Sequence, residues 1–441
     1  MSTRGWIAGS ITGLVTSLRL RSAMRGIRAG KRILMRQPPT LHYFHGVADP
    51  YSHLAVQLLP ALARAYAIRI VPHIVGEPGP AAAPEPERLG EWALRDARQL
   101  AGAHGLDFPV DAVAPTRDAV NAAEAGLAGI EDAYAFAERA MTLGNALWRG
   151  HAIEHPGSDA AAALSAGNGA LEKAGHYLPC VFAFEGETYW GVDRLPHLEA
   201  RLAGFRSGPP LVRQLEASDA PGDTQSAELH FYLSFRSPYT YIAAARARRL
   251  AERHNARLIL RPVMPMVMRG LPVPFAKRLY IVRDTSREAE RLGIAFGRIC
   301  DPVGAGVERG LAVLHCAIAL GKGPAFAESF LAGAFAEAVD ATTDAGLLML
   351  AERAGLGETD VRSALADERW RAEAEANREE LFGLGLWGVP SFRVGNPPAD
   401  VSGRRSFAGQ KVAEQSFAPQ WGQDRLWAVE RDLRSIAGDR P

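Results

Sequence analysis

The chain has 441 residues, 47% of them apolar and 22% charged, enough for two or three domains with sizeable cores. The formal net charge is +1, so no whole-molecule field points to nucleic acid or to a membrane. Cys180, Cys300 and Cys316 form no CxxC pair and no zinc-ligand spacing, and such sparse use fits a reducing, cytoplasmic setting.

Residues 1–37 form an extension that holds Arg and Lys but neither Asp nor Glu. A mildly apolar stretch over 5–18 precedes Arg19, Arg21, Arg25, Arg28, Lys31, Arg32 and Arg36. A cleavable signal peptide carries its positive charge ahead of the apolar run. Here most of the charge follows it, and the run is shorter than the roughly 20 residues that span a bilayer. Two readings stay open: a basic amphipathic helix making weak contact with an anionic membrane surface, or a frayed, solvated terminus.

Residues 38–205 read as a first domain. It begins with Leu41-His42-Tyr43-Phe44 and Asp49-Pro50-Tyr51, passes an exposed Pro- and Ala-rich loop at 77–86, and includes Trp92…Asp96 and Gly105…Phe108. It closes with Leu178-Pro179 and Trp190-Gly191-Val192-Asp193-Arg194-Leu195. Residues 206–226 are rich in Gly, Pro, Asp and Ser and read as a linker.

Residues 227–441 repeat the first pattern. Leu229-His230-Phe231-Tyr232 stands over Leu41-His42-Tyr43-Phe44, and without a gap Ser237-Pro238-Tyr239 falls on Asp49-Pro50-Tyr51. The same register carries Trp92 onto Tyr280, Asp96 onto Asp284 and Gly105 onto Gly293, which points to an internal duplication. Residues 228–235 suit a buried strand. Ser237 is a natural N-cap with Pro238 at the first helical position, and a helix is expected over 239–256. Leu258-Ile259-Leu260 reads as a second strand, and 306–380 as helical with breaks at 321–324 and 355–358. Strand character returns at 387–394. A lengthened hairpin connection containing Asn396-Pro397-Pro398 and Ser402-Gly403 then leads to Trp421-Gly422-Gln423-Asp424-Arg425-Leu426 and a closing helix from about 423.

Ser-Pro-Tyr-Thr-Tyr after a strand, Gly-Val-Pro-Ser-Phe before one, and Trp-Gly-Gln-Asp-Arg-Leu at the last helix together resemble one family. It is the group of 2-hydroxychromene-2-carboxylate isomerases and kappa-class glutathione transferases within the DsbA-like thioredoxin superfamily. The resemblance covers nearly all of 227–436 and, more faintly, 39–204. It implies an α/β protein of two tandem thioredoxin-like, DsbA-type domains, each with a helical insertion.

The resemblance also implies a glutathione site. Ser237 would donate to the thiolate at a helix N-terminus, where free N–H groups and the dipole favour an anion. Pro390 would be a cis-proline, with the Val389 backbone pairing with the cysteinyl group. Gln423 and Asp424 would grip the γ-glutamyl end, and Lys277 the glycine carboxylate or an acidic substrate. The Asn that the family commonly carries shortly before that Lys has no counterpart in Gly270-Leu271-Pro272-Val273-Pro274. In the first copy Asp49 replaces the Ser and Leu89 the Lys, while Pro179 would be the cis-proline and Cys180 follows it. A fixed negative charge at Asp49 opposes a thiolate, so the first copy reads as degenerate and mainly structural.

Two further functions are weighed beside the glutathione-dependent isomerase or transferase. One is a non-catalytic binding or scaffold protein of the same fold. The other is a thiol–disulfide oxidoreductase, which lacks the CxxC pair that exchange normally uses. The partners expected are a small-molecule substrate and no nucleic acid, in a monomer or homodimer.

Overall fold

The computed structural model describes residues 2–157, 159–222, 224, 227–271, 273–395 and 417–436. The chain divides into two compact units. The N-terminal unit comprises Arg21–Leu215 and a short stretch ending at Tyr280. The C-terminal unit comprises the residues up to Leu20, Glu216–Leu271 and the described residues from Ile281. The break between Leu215 and Glu216 falls inside the expected linker. The 1–37 extension, expected as one piece, is divided between the units. Nor is it frayed: it forms helices α1 (Thr3–Val15) and α2 (Leu18–Leu34).

The N-terminal unit continues with β1 (Thr40–Gly46), α3 (Pro50–Val56), α4 (Leu59–Ala65) and β2 (Arg69–Val75). A helical block follows: α5 (Pro86–His104), α6 (Arg117–Leu127), α7 (Ala133–Trp148) and α8 (Ala161–Ala174). The unit ends with β3 (Val181–Phe184), β4 (Glu187–Trp190) and α9 (Leu195–Arg201). No regular element spans 77–85, as expected of a loop, although Ala83 is buried.

The C-terminal unit opens with β5 (Glu228–Leu233), α10 (Pro238–Arg253) and β6 (Arg257–Pro262). Its helical block is α11 (Phe275–Arg291, whose turns up to Tyr280 group with the N-terminal unit), α12 (Ala305–Ala319), α13 (Gly323–Phe335), α14 (Asp344–Glu352), α15 (Glu358–Leu365) and α16 (Arg369–Gly383). It closes with β7 (Ser391–Gly395), β8 (Gln420–Trp421) and α17 (Leu426–Ile436). The breaks at 321–324 and 355–358 separate α12 from α13 and α14 from α15. Two more, at 336–343 and 366–368, were not expected; in the first Ala338 takes a left-handed φ of 57°. The helix expected to reach 256 stops at Arg253, because Asn255 turns left-handed at φ 54°. The expected hairpin lengthening at 396–416 lies outside the described residues.

Each unit holds a four-stranded mixed sheet, ordered β2-β1-β3-β4 in one and β6-β5-β7-β8 in the other. In both, the first two strands run parallel through a helical crossover and the other two add antiparallel. The registers correspond as well. Thr40 faces Arg69 and Leu41 faces Ile70; Glu228 faces Arg257 and Leu229 faces Leu258. Across the sheet, Tyr43 faces Phe182 and Phe231 faces Phe392. Such a register is held by burial, since a one-residue slip would turn every apolar side chain to the wrong face. β5 is buried along its whole length, and Phe231, Phe235, Leu311, Phe330 and Val429 belong to one continuous core.

Buried polar pairs recur in corresponding elements of the two units. Tyr51 donates to Asp96 and Tyr239 to Asp284, both at 2.8 Å. Tyr66 donates to Glu199 at 2.7 Å, and His254 lies 3.3 Å from Glu430. Glu199 also accepts from the amides of Leu211 and Val212, so the start of the expected linker is pinned to its own unit.

Candidate functional site

In the C-terminal unit, β5 ends at Leu233 and α10 begins at Pro238, which places Ser237 at the N-cap with extended backbone (φ −96°, ψ 113°). Its Oγ accepts from the Thr240 amide at 3.1 Å and donates to the Val389 carbonyl at 3.3 Å. One hydroxyl thus ties the first turn of α10 to the residue before Pro390. The Val389–Pro390 peptide is cis. Around it, Ser391 Oγ donates to the Gly388 carbonyl at 2.8 Å and the Gly422 amide donates to the Pro390 carbonyl at 2.9 Å. The Trp421 ring lies so near Gly388 that a Cβ there would come within 2.4 Å of it, which explains the glycine in Trp-Gly-Val-Pro. Trp387 and Trp421 approach to 4.7 Å between ring centroids, an aromatic edge beside the Pro390 turn.

Gln423 and Asp424 lie in a short helical turn, Gln423–Arg425, that leads into α17. Gln423 is buried. Its amide donates to Glu288 at 3.1 Å and to Asp424, while its oxygen accepts from Arg246 at 2.6 Å. Arg246 also pairs with Glu216 at 2.8 Å, and Arg291 pairs with Glu288 at 2.8 Å. The buried Glu288 carboxylate is therefore held by Arg291 and Gln423, as a buried charge requires.

The structure brings Ser237, Val389 and Pro390 together, and it sets Gln423 and Asp424 in one network. Lys277, on the first turn of α11, is grouped with the N-terminal unit. There its Nζ donates to the Ala82 carbonyl at 2.9 Å and lies 6.0 Å from the centre of the Tyr177 ring. Burial lowers the pKa of this amine.

Sequence reasoning aligned Tyr51 with Tyr239 and Asp96 with Asp284 but gave them no role. They are the struts of the two site helices. Asp284, almost fully buried, takes Tyr239 from the first turn of α10 and Arg287 from its own helix at 3.0 Å. In the N-terminal unit Asp96 takes Tyr51 and, at 2.6 Å, Gln99 in place of the arginine. The signal was present: a Tyr and an Asp recur at one register in both units.

In the N-terminal unit Asp49 caps α3, accepting from the Ser52 amide at 2.9 Å and the Ser52 hydroxyl at 2.7 Å. Burial pushes its carboxyl up to about 6, against the opposing effect of the Ser52 hydrogen bonds. The expected match of Pro179 to Pro390 needs correction. Only Val389–Pro390 is cis among the described residues, and the strand registers place Val181 opposite Phe44 as Ser391 is opposite Tyr232. The Gly191 amide donates to the Cys180 carbonyl as Gly422 donates to Pro390. Cys180, fully buried at φ 58°, therefore occupies the Pro390 position, and Pro179 falls one residue early. The motifs look alike in sequence because both place a proline near the strand; pairing register, not residue type, decides equivalence. Burial and the Asp49 charge both raise the Cys180 thiol, which keeps it protonated and unreactive. Among the described residues, no group of three or more His, Cys, Asp or Glu is placed to hold a metal ion.

Residues 228–432 match the model of the DSBA-like thioredoxin domain, and this half of the chain is such a domain. No curated protein matches the sequence. Among solved structures, a 2-hydroxychromene-2-carboxylate isomerase is 20% identical and covers 48% of this chain and 100% of its own, with a TM-score of 0.36. A probable DsbA oxidoreductase from Streptomyces coelicolor is 21% identical over 49% of this chain and 92% of its own, with a TM-score of 0.35. The cytosolic disulfide reductase DsbM from Pseudomonas aeruginosa, solved with GSH, is 20% identical over 38% of this chain and 89% of its own, with a TM-score of 0.30. Likenesses this distant do not bear on activity.

Proposed function

We propose that the C-terminal domain binds glutathione at the N-terminus of α10 and serves as a glutathione-dependent isomerase or transferase for a small, aromatic-derived or electrophilic substrate. The observation that carries this reading is the Ser237 hydroxyl, set between the Thr240 amide and the Val389 carbonyl beside the cis Pro390. Its proton, given to Val389 here, is available to an anionic sulfur, and the helix N-terminus favours the same charge. Glutathione, when bound, supplies a thiol nucleophile. The chain's residues hold and orient it: Val389 offers backbone groups for strand-like pairing, and Asp424 offers a carboxylate for the γ-glutamyl ammonium. Gln423 fixes the Asp424 turn through Glu288 and Arg246. Lys277, proposed for the ligand's other end, has its amine engaged by Ala82.

The N-terminal unit is read as the duplicated, degenerate partner of this domain. Equal strand order, equal register and the recurring Tyr–Asp pairs support the duplication. Calorimetric titration with glutathione tests the function: millimolar glutathione should saturate the wild type, and Ser237→Ala should cut glutathione-dependent turnover about a hundredfold. Absence of binding would leave the second reading, a non-catalytic binding or scaffold protein, which Asp49 and the buried Cys180 favour for the N-terminal half. Thiol–disulfide exchange is the third reading, and insulin reduction at the background rate would remove it.

A further inference from the structure

Helix α1 is packed the wrong way round for a helix whose burial is complete. Its inner face is made of small and hydroxylated residues: Gly5 and Gly9 are buried, and a Cβ on either would collide with Ala338. Thr12 Oγ1 accepts from the Ile299 amide at 2.8 Å, and Ser2 Oγ donates to Asp340 at 2.8 Å. The large apolar residues point outward. Trp6 is 62% exposed, Ile11 61% and Leu14 61%, with Ile7 and Val15 beside them on the open side. An amphipathic helix of a soluble protein turns its apolar stripe to the core. The anchored glycine face shows that α1 is held in this orientation rather than detached.

Helix α2 shows the same inversion within the N-terminal unit. Arg25 pairs with Glu187 through two 2.7 Å bonds and Arg32 with Glu185 at 2.8 Å, while Arg28 donates to the Glu185 carbonyl. The arginines face the β3–β4 hairpin, and Met24, Ile27 and Leu34 face solvent, Leu34 at 84% exposure. Exposed basic residues follow α1 along the sequence, namely Arg19, Lys31 and Arg36, and residues 1–37 contain no Asp or Glu. An exposed apolar stripe along an anchored helix marks a docking surface.

We propose that the outer face of α1 docks on an anionic lipid bilayer, lying in the interface with Trp6, Ile7, Ile11 and Leu14 inserted. Charge selects the occupant: an all-basic segment beside an apolar stripe matches anionic headgroups over acyl chains. Neither helix crosses the bilayer, for among the described residues none is long and apolar enough.

Sedimentation of the full chain with vesicles tests this. Phosphatidylcholine–phosphatidylglycerol vesicles in equal parts should carry the protein down, with pure phosphatidylcholine carrying far less and salt releasing it. The triple variant Trp6→Ser, Ile11→Ser, Leu14→Ser should bind at least about tenfold more weakly, with an unchanged circular dichroism spectrum and melting temperature. Arg19→Glu with Arg36→Glu should weaken binding to the anionic vesicles only. Failure of the wild type to bind anionic vesicles at low salt would overturn the proposal. So would a concentration-dependent dimer that the triple variant abolishes, since the face would then serve a second copy of the chain.

Discussion

The two units place the same backbone around different chemistry. Where the C-terminal domain has Ser237 and a cis Pro390, the N-terminal unit has Asp49 and a fully buried Cys180. Both residues cap a helix by accepting an amide three residues on, so the capping role alone does not distinguish them. The difference lies in the second bond. Ser237 has a proton to donate and directs it at the Val389 carbonyl, whereas Asp49 at neutral pH has none and takes two bonds from Ser52. The two units thus share a strand order and a capped helix but differ in what the cap can donate.

The largest expected effect concerns catalysis. If Ser237 is the donor to a thiolate, Ser237→Ala should cost about a hundredfold in glutathione-dependent turnover, the scale of a lost oxyanion donor. Its effect on unfolding should be only about 1 kcal/mol, that of a lost cap. Comparable losses in rate and in folded fraction would instead make Ser237 structural.

The struts sharpen the comparison next. Asp284→Ala leaves Tyr239 and the buried Arg287 without this carboxylate and should destabilise the C-terminal unit by about 3–5 kcal/mol. Asp96→Ala, which removes the acceptor of Tyr51 and of the neutral Gln99, should cost the N-terminal unit about 1–3 kcal/mol. Denaturant melts of both variants would show whether the order holds.

The titration of Asp49 gives a pH signature to one unit. Its folded pKa of about 6 lies above the ordinary 3.8. Asp49 therefore contributes most to stability below 3.8, and that contribution is lost as pH rises through 6. Asp49→Asn should stabilise the N-terminal unit by about 2 kcal/mol at neutral pH, with the gain fading toward pH 4, in melts across that range. A gain independent of pH would exclude this origin. The smallest effect is on thiol labelling: Cys316, partly exposed, should react with a thiol reagent before Cys180, which should stay silent until its unit unfolds.

Much of this was legible in the sequence because burial writes a period into it. The strands at 228–235 and 258–260, the Ser237 cap and the two helical breaks followed from local pattern, and the repeat register set Tyr51 and Asp96 over Tyr239 and Asp284. Pairing across distance was not legible. The Cys180-for-Pro390 correspondence is set by strand register after a helical block whose length differs between the units. The use of Gln423 inside the Glu288–Arg246 network depends on three separate elements. The inverted faces of α1 and α2 escaped because composition shows that apolar residues are present, not which way they turn.

The central claim is that the glutathione site belongs to the C-terminal domain and turns on the residue at its helix cap. Calorimetric titration of glutathione into the wild type, Ser237→Asp and Asp49→Ser measures it directly. One site per chain, lost in Ser237→Asp and unchanged in Asp49→Ser, is the predicted result. Binding that survives Ser237→Asp, or that appears only in Asp49→Ser, would contradict it.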